Sequence, residues 1–283
     1  MKPLDKEHEL IILRTNVQFE VQPMETANRF ALMFETMAEL IPDIRASNAD
    51  PSQAIPDLRT ILQGFTPLPH EAIFLGVAND GLPVLLNLRD PLPGPVLIVG
   101  DKGSGRSKLL KIIAQAVDQS HDPDDIRYVV IANDPSGWEG FDHSPNCEGV
   151  LSFNRTLTVN YIDSLMTWAH TNKQGKKFIL LLVDGLEALS EDKDIHQTIR
   201  WLLLRGPSRR IWPIVTLDAA HIIEVNQWLD SFKTRLCGHM TREQNIQVLT
   251  GSPVSIFQDL LAGTQFAMRE NKVWMPFWLP NLD

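Results

Sequence analysis

Val96-Leu-Ile-Val-Gly-Asp-Lys-Gly-Ser-Gly-Arg-Ser-Lys108 is the stretch of sequence from which the fold class follows. Its first four residues are apolar and predict a buried strand, and the glycines that follow predict a loop leading into a helix. The spacing is that of a phosphate-binding loop, G-x-x-x-x-G-K-[ST], with Gly100, Gly105 and Ser107 in place and Arg106 where the motif has lysine. The segment therefore predicts a nucleotide phosphate site with one altered side chain.

Such a loop binds phosphate through backbone N–H groups that converge in front of a helix N-terminus. The candidate nucleotide-binding residues are Gly100, Asp101, Lys102, Gly103, Ser104, Gly105, Arg106, Ser107 and Lys108. The Ser107 hydroxyl is expected to bind Mg²⁺. Arg106 retains a positive charge, but its planar fork is bulkier than a lysine ammonium and reaches differently. A glycine-rich strand-to-helix turn that binds nothing is the alternative.

A second candidate site residue ends the apolar run that begins at Phe178. Asp184 follows that run directly, which predicts a carboxylate at the end of a buried strand and a second Mg²⁺ ligand beside Ser107. An ordinary helix N-cap is the alternative. Gly185 comes next, so the candidate for orienting an attacking water is Glu187, although a solvated position in the first helical turn is the favoured interpretation.

The pattern of apolar residues predicts an α/β fold. Asn79-Asp-Gly81 separates two alternating segments, 72–78 and 82–88, and predicts a hairpin turn. From there strands alternate with helices, an arrangement typical of a mainly parallel sheet covered by helices. Strands are predicted near 96–100, 127–132, 149–153, 178–183, 211–216 and 234–239, helices near 105–118, 157–171, 193–204 and 221–231, and a closing hairpin at 264–268 and 273–277.

The first 71 residues carry no chemical motif. A strand or hairpin is expected at 10–22, a helix at 24–42 and a shorter helix around 57–63. These residues are interpreted as a small α+β accessory segment, 1–71, on a main nucleotide-binding domain, 72–283.

Composition limits the class of protein. The formal net charge of −9 argues against a generally basic nucleic-acid-binding surface, although a local basic patch stays open. Cys147 and Cys237 form no metal-binding pattern and are expected to be reduced thiols. The charged N-terminus lacks the apolar core of a signal peptide, and no apolar run reaches membrane-spanning length. A cytoplasmic location is therefore expected.

From about Leu75 to Pro280 the chain resembles the motor domain of the FtsK/SpoIIIE branch of the FtsK–HerA superfamily. The matching segments occur in the family's order: 75–84 (entry hairpin), 95–107 (Walker A), 122–131, 180–185 (Walker B), 205–218 (basic loop and sensor strand), 232–237 and 260–268. The resemblance implies a RecA-like P-loop three-layer sandwich that binds ATP and Mg²⁺. It further implies an oligomer of FtsK-like subunits, either homomeric or heteromeric, with DNA or a secretion platform as the partner.

Three catalytic positions depart from this family pattern. Arg106 replaces the Walker A lysine, Gly185 replaces the glutamate after the Walker B aspartate, and Asp218 replaces a polar amide at the sensor position. A carboxylate at position 218 is expected to repel a γ-phosphate. The sequence therefore predicts an ATP-binding module with weak or absent hydrolysis, in a regulatory or assembly role. An active DNA-translocating ATPase and an interaction protein without nucleotide are the alternatives.

Basic residues offer further candidates. Arg205, Arg209 and Arg210 are predicted to form a solvated helix end, with nucleic-acid phosphates or a subunit interface as alternatives. Arg235 matches an arginine of the family's strand, or pairs with a carboxylate.

Overall fold

The computed structural model describes residues 56–65, 67–89, 94–153, 156–172, 177–190, 193–251, 256–270 and 273–282. The strand or hairpin expected at 10–22 and the helix expected at 24–42 lie outside this part of the chain. Within it, no helix is long and apolar enough to cross a membrane.

One sheet organises the described residues. Its strands are β1 (Ala72–Ala78), β2 (Pro83–Asn87), β3 (Val96–Gly100), β4 (Ile126–Ala132), β5 (Cys147–Ser152), β6 (Phe178–Asp184), β7 (Ile211–Asp218), β8 (Thr234–Cys237), β9 (Gln265–Glu270) and β10 (Val273–Trp278). They lie in the order β2-β1-β10-β9-β8-β3-β7-β6-β4-β5. The pairings from β8 to β5 are parallel, and those from β8 through β9, β10 and β1 to β2 are antiparallel.

Helices and turns connect these strands. The helices are α1 (Leu58–Phe65), α2 (Arg106–Ser120), α3 (Thr156–Thr171), α4 (Leu186–Ser190), α5 (Lys193–Arg205), α6 (Asn226–Leu229), α7 (Glu243–Thr250) and α8 (Ile256–Asp259). Short 3-10 turns occur at Pro135–Trp138, Phe141–His143, Pro207–Arg209 and Ala219–His221.

The strands at the centre of the sheet are buried on both faces, which explains their continuous apolar sequences. In β3, Val96 and Ile98 belong to the hydrophobic core that contains α2, whereas Leu97 and Val99 belong to the core on the opposite face. Successive side chains of a strand point to opposite faces, so one apolar run serves two cores. Helices therefore cover both sides, and the three-layer, RecA-like P-loop α/β fold predicted from the sequence is confirmed.

The predicted hairpin, the strands and most of the helices are confirmed to within a few residues. The helix predicted at 221–231 is wrong. In its place the chain forms successive tight turns, in which Glu224 N donates to His221 O and Asn226 N to Ile223 O, before the short α6. Ile222, Val225, Trp228 and Leu229 are buried, so their spacing reflects core packing of an irregular segment. Helices α7 and α8 were not predicted, and α4 was expected only as the helical turn that contains Glu187.

Helix α1 packs on the same core as α2. Leu58, Leu62 and Phe65 are buried in that core, and Leu58 N donates to Asn281 O. The domain boundary expected before Ala72 stays a prediction.

Candidate nucleotide-binding site

The loop between β3 and α2 has the backbone shape that anion binding requires. Gly103 and Gly105 adopt φ angles of +84° and +96°, which favour glycine because a Cβ is strained there. Ser104 N donates to Asp101 O at 3.0 Å and closes a turn within the loop. The helix begins at Arg106, so the first N–H groups of α2 have no preceding helical carbonyl and are available to an anion.

Contacts with distant segments hold the loop in this shape. The Asp101 carboxylate accepts hydrogen bonds from the N–H and the hydroxyl of Thr241, both at 2.8 Å. Gly263 N donates to Ser104 O at 3.0 Å, and a Cβ on Gly105 would lie 3.0 Å from Gly263 Cα. Ser104 itself is 1% exposed and packs beneath the loop. Contacts within the protein therefore suffice to hold the phosphate loop in this shape.

Asp184 lies beside this loop, as the sequence predicted, and bonds side chains from three other elements. Its Oδ1 accepts from the hydroxyls of Ser107 at 2.8 Å and Thr216 at 2.9 Å, and its Oδ2 accepts from Trp138 Nε1 at 3.3 Å. The carboxylate is thus oriented by β7 and by the turn after β4. This position does more than cap the short helix that follows.

The chemistry of this pair fits a phosphate-bound magnesium ion. Ser107 Oγ and Asp184 Oδ1 are hard oxygen donors 2.8 Å apart, and Mg²⁺ is commonly bound through one or two such groups together with phosphates and water. Within the described residues, no three His, Cys, Asp or Glu side chains form a group that could hold a metal alone. The ion would therefore be bound together with a phosphate.

Arg106 and Asp218 form an ion pair next to the loop. Arg106 Nη2 lies 2.7 Å from Asp218 Oδ2, and the two side chains are 16% and 19% exposed. Asp218 Oδ1 also accepts from Ala220 N at 2.9 Å, which caps the turn after β7. The carboxylate predicted to repel a γ-phosphate is thus paired with the arginine that replaces the motif lysine. Two of the three departures are neighbours in space.

The other predicted site residues surround this arrangement. Glu187 is half-buried in the first turn of α4, and a Cβ on Gly185 would lie 3.7 Å from its Oε1. Lys102 is exposed at the tip of the loop. Lys108 is half-buried on α2, and burial lowers the pKa of its ammonium group. None of these contacts assigns a catalytic role to Glu187.

The basic candidates lie elsewhere. Arg235 is bonded to the backbone carbonyls of Leu229, Phe232 and Leu249, so it joins segments of the fold, and desolvation lowers its pKa. The Arg210 guanidinium lies 4.9 Å from the Phe178 ring centroid. Arg210 immediately precedes β7, whereas the phosphate loop follows β3. Because β3 and β7 are parallel, Arg210 and the loop lie at opposite ends of these strands.

Sequence reasoning missed the residues that orient the site. Thr216 is 2% exposed and carries a hydroxyl within an otherwise apolar strand, which is a usable signal for a buried hydrogen bond. Trp138 lies 46 positions before Asp184, and Thr241 lies 140 positions after Asp101. No local pattern links such distant residues.

No family model and no curated protein sequence matches this chain. Solved structures do. The cytoplasmic domain of the type VII secretion ATPase EccC from Thermomonospora curvata is 15% identical, with a TM-score of 0.66 over 80% of this chain and 32% of that one. EssC (ATPases 2 and 3) from Geobacillus thermodenitrificans is 13% identical, with a TM-score of 0.66 over 82% of this chain and 47% of the EssC chain. TcpA, the pCW3 conjugation coupling protein with ATPγS, is 14% identical, with a TM-score of 0.58 over 87% and 82%.

These structural neighbours show that the chain has the fold of the EccC and EssC ATPase structures. The resemblance predicted from the sequence motifs is therefore confirmed at the level of the fold. The chain spans about a third of the EccC chain and about half of the EssC chain. The activities of those larger proteins are therefore not assigned to this chain by the structural similarity.

Proposed function

We propose that this chain is an ATP-binding module with weak or absent hydrolysis, in which Ser107 and Asp184 hold the magnesium ion of the bound nucleotide. The observation that carries this proposal is the contrast between two pairs. Ser107 Oγ and Asp184 Oδ1 are 2.8 Å apart beside the phosphate loop, whereas the Arg106 guanidinium is bonded to Asp218. Binding depends mainly on loop N–H groups and the helix dipole, which are retained.

Weak hydrolysis follows from what phosphoryl transfer demands. The protein must position the phosphate and stabilise the charge that spreads over the transferring group. The Arg106 guanidinium is bonded to Asp218, and Gly185 has no carboxylate that could orient a water molecule. Loss of one pre-organised electrostatic contributor typically costs about 10²–10³ in rate. Two such losses together would leave turnover close to the limit of detection.

A regulatory or assembly role suits a module that binds nucleotide without consuming it. The EssC structure contains more than one ATPase, numbered 2 and 3. By analogy, we propose that this domain forms an oligomer in the cytoplasm, either with further copies of itself or with active FtsK-like ATPase subunits.

The proposal is tested by calorimetry with ATP and Mg²⁺, followed by phosphate release with and without DNA. We expect micromolar to millimolar ATP binding and no release above background. Asp184→Asn should weaken the Mg²⁺ dependence of binding, whereas Asp163→Asn, an exposed carboxylate on α3, makes the same charge change away from the site. Absence of binding at both millimolar ATP and millimolar ADP in the unaltered protein would leave the interaction protein as the better description.

An active DNA-translocating ATPase is the second candidate, favoured by the intact Ser107–Asp184 pair. It requires DNA-stimulated phosphate release that Asp184→Asn abolishes. Arg106→Lys restores the motif lysine. Hydrolysis gained by this substitution would mean that the rest of the site is competent and that arginine alone suppresses turnover.

A further inference from the structure

The ion pair between Arg106 and Asp218 has a bearing on which nucleotide the site prefers. Asp218 ends β7, and its partner in the strand register is Gly100, the first glycine of the phosphate loop. The carboxylate therefore lies at the mouth of the loop. It is held from two sides, by Arg106 Nη2 at 2.7 Å and by Ala220 N at 2.9 Å.

The position of β7 relates this carboxylate to the phosphate chain. Strand β7 lies between β3, which leads into the loop, and β6, which ends at Asp184. Thr216, two residues before Asp218, donates to Asp184. In P-loop sites a loop serine or threonine and a strand-end aspartate hold the metal of the bound nucleotide, so the Ser107–Asp184 pair would lie toward the terminal phosphates. Asp218 thus lies on the terminal-phosphate side.

We propose that the Asp218 carboxylate, clamped by Arg106 beside the loop, takes the place of the third phosphate and makes this site selective for nucleoside diphosphates over triphosphates. The inference rests on the proposed nucleotide-binding function and refines its ligand. A diphosphate uses the loop N–H groups and leaves the ion pair intact. A triphosphate must compete with Asp218 for Arg106 and brings further negative charge beside a carboxylate that is four-fifths buried.

The test is calorimetric titration of the full chain with ADP and with ATP, each with Mg²⁺. We expect ADP to bind about tenfold more tightly than ATP or better, because both charges are poorly screened where they meet. Asp218→Asn should raise ATP affinity about tenfold and change ADP affinity little, which removes the preference. The amide oxygen of asparagine can still accept from Ala220 N, so the turn keeps its cap.

A second variant guards against a folding defect at position 218. Arg106→Gln leaves Asp218 without its cation, so both nucleotides should bind more weakly and the preference for ADP should widen. Asp163→Asn is the matched control and should keep the preference of the unaltered protein. Thermal melting of each variant checks that it is folded.

The outcomes separate the two proposals. Equal affinity for ADP and ATP in the unaltered protein, or a preference that survives Asp218→Asn in a folded variant, overturns the selectivity and leaves nucleotide binding in place. Failure of both nucleotides to bind overturns the proposed function and the preference with it.

Discussion

Gly103 and Gly105 need the same unusual backbone conformation, but their surroundings differ. Both have positive φ angles. A Cβ on Gly103 would point into open space, whereas a Cβ on Gly105 would lie 3.0 Å from the backbone of Gly263. One glycine is required by conformation alone, and the other by conformation and by close packing.

This difference predicts unequal costs. Gly103→Ala should lower the free energy of unfolding by about 1–2 kcal/mol, the cost of a left-handed conformation for an L-residue. Gly105→Ala should cost at least about 1 kcal/mol more, because an overpacked contact between two backbone segments must shift. Urea unfolding measures both. Equal losses of unfolding free energy for the two variants would mean that the backbone around Gly263 moves aside at little cost.

Thr216 is the hydroxyl donor that orients Asp184 from within β7. Thr216→Val keeps the shape but removes that hydrogen bond, so we expect a loss of about 1 kcal/mol in the free energy of unfolding. Thr167→Val, on the exposed face of α3, is the matched control and should change stability little. A loss no larger than that of the control would contradict the orienting role.

At the scale of elements, the segment between β7 and β8 shows how far sequence patterns reach. The apolar spacing of 221–231 reflects which side chains are buried, but it could not distinguish a helix from a series of tight turns around the same core. Apolar runs such as β6 were predictable because a strand buried on both faces needs them. The loop and Asp184 were predictable from local motifs. The hydrogen bonds of Trp138 and Thr241 were not predictable because they join segments far apart in the chain, which only the complete fold brings together.

Arg235 joins these elements. Its guanidinium is bonded to backbone carbonyls at Leu229, Phe232 and Leu249, so it ties the end of α6 and the end of α7 to β8.

Removal of this arginine should loosen three elements together. Arg235→Met fills much of the volume but leaves those carbonyls without their donor, and we expect a loss of about 3 kcal/mol in unfolding free energy. Arg235→Lys keeps a cation with fewer directed donors and should lie between the two. Urea denaturation compares the three proteins. A lysine variant as stable as the original would mean that charge matters more than geometry.

At the scale of the whole molecule, the hairpin of β1 and β2 is joined to the phosphate-loop helix through His121, just after α2. Its Nε2 faces Ala72 O at 3.1 Å and donates to that carbonyl. Burial lowers the pKa of His121 below its ordinary value of 6.5, His70 lowers it further, and the bond to Ala72 and the Asp125 charge act in the opposite direction.

The depressed pKa predicts a loss of stability in mild acid. The unfolded chain takes up a proton on this imidazole as the pH falls through 6.5, whereas the folded protein resists until its lower pKa is reached. Stability from this residue is therefore complete above pH 6.5 and declines below it. His121→Gln can keep a donor to Ala72 O without titrating, so its melting temperature should fall less between pH 7 and pH 5. His143→Gln, at an exposed histidine, is the matched control.

The contacts that Gly263 and Thr241 make with the phosphate loop also order events in time. A ribosome releases the loop, residues 100–107, long before it releases either partner. The emerging β3 and α2 therefore lack the hydrogen bonds to the Asp101 carboxylate until Thr241 has been translated, and the bond to the Ser104 carbonyl until Gly263 has been translated. A growing chain would carry an unfinished loop, so any capture of nucleotide during synthesis must wait for the late part of the message.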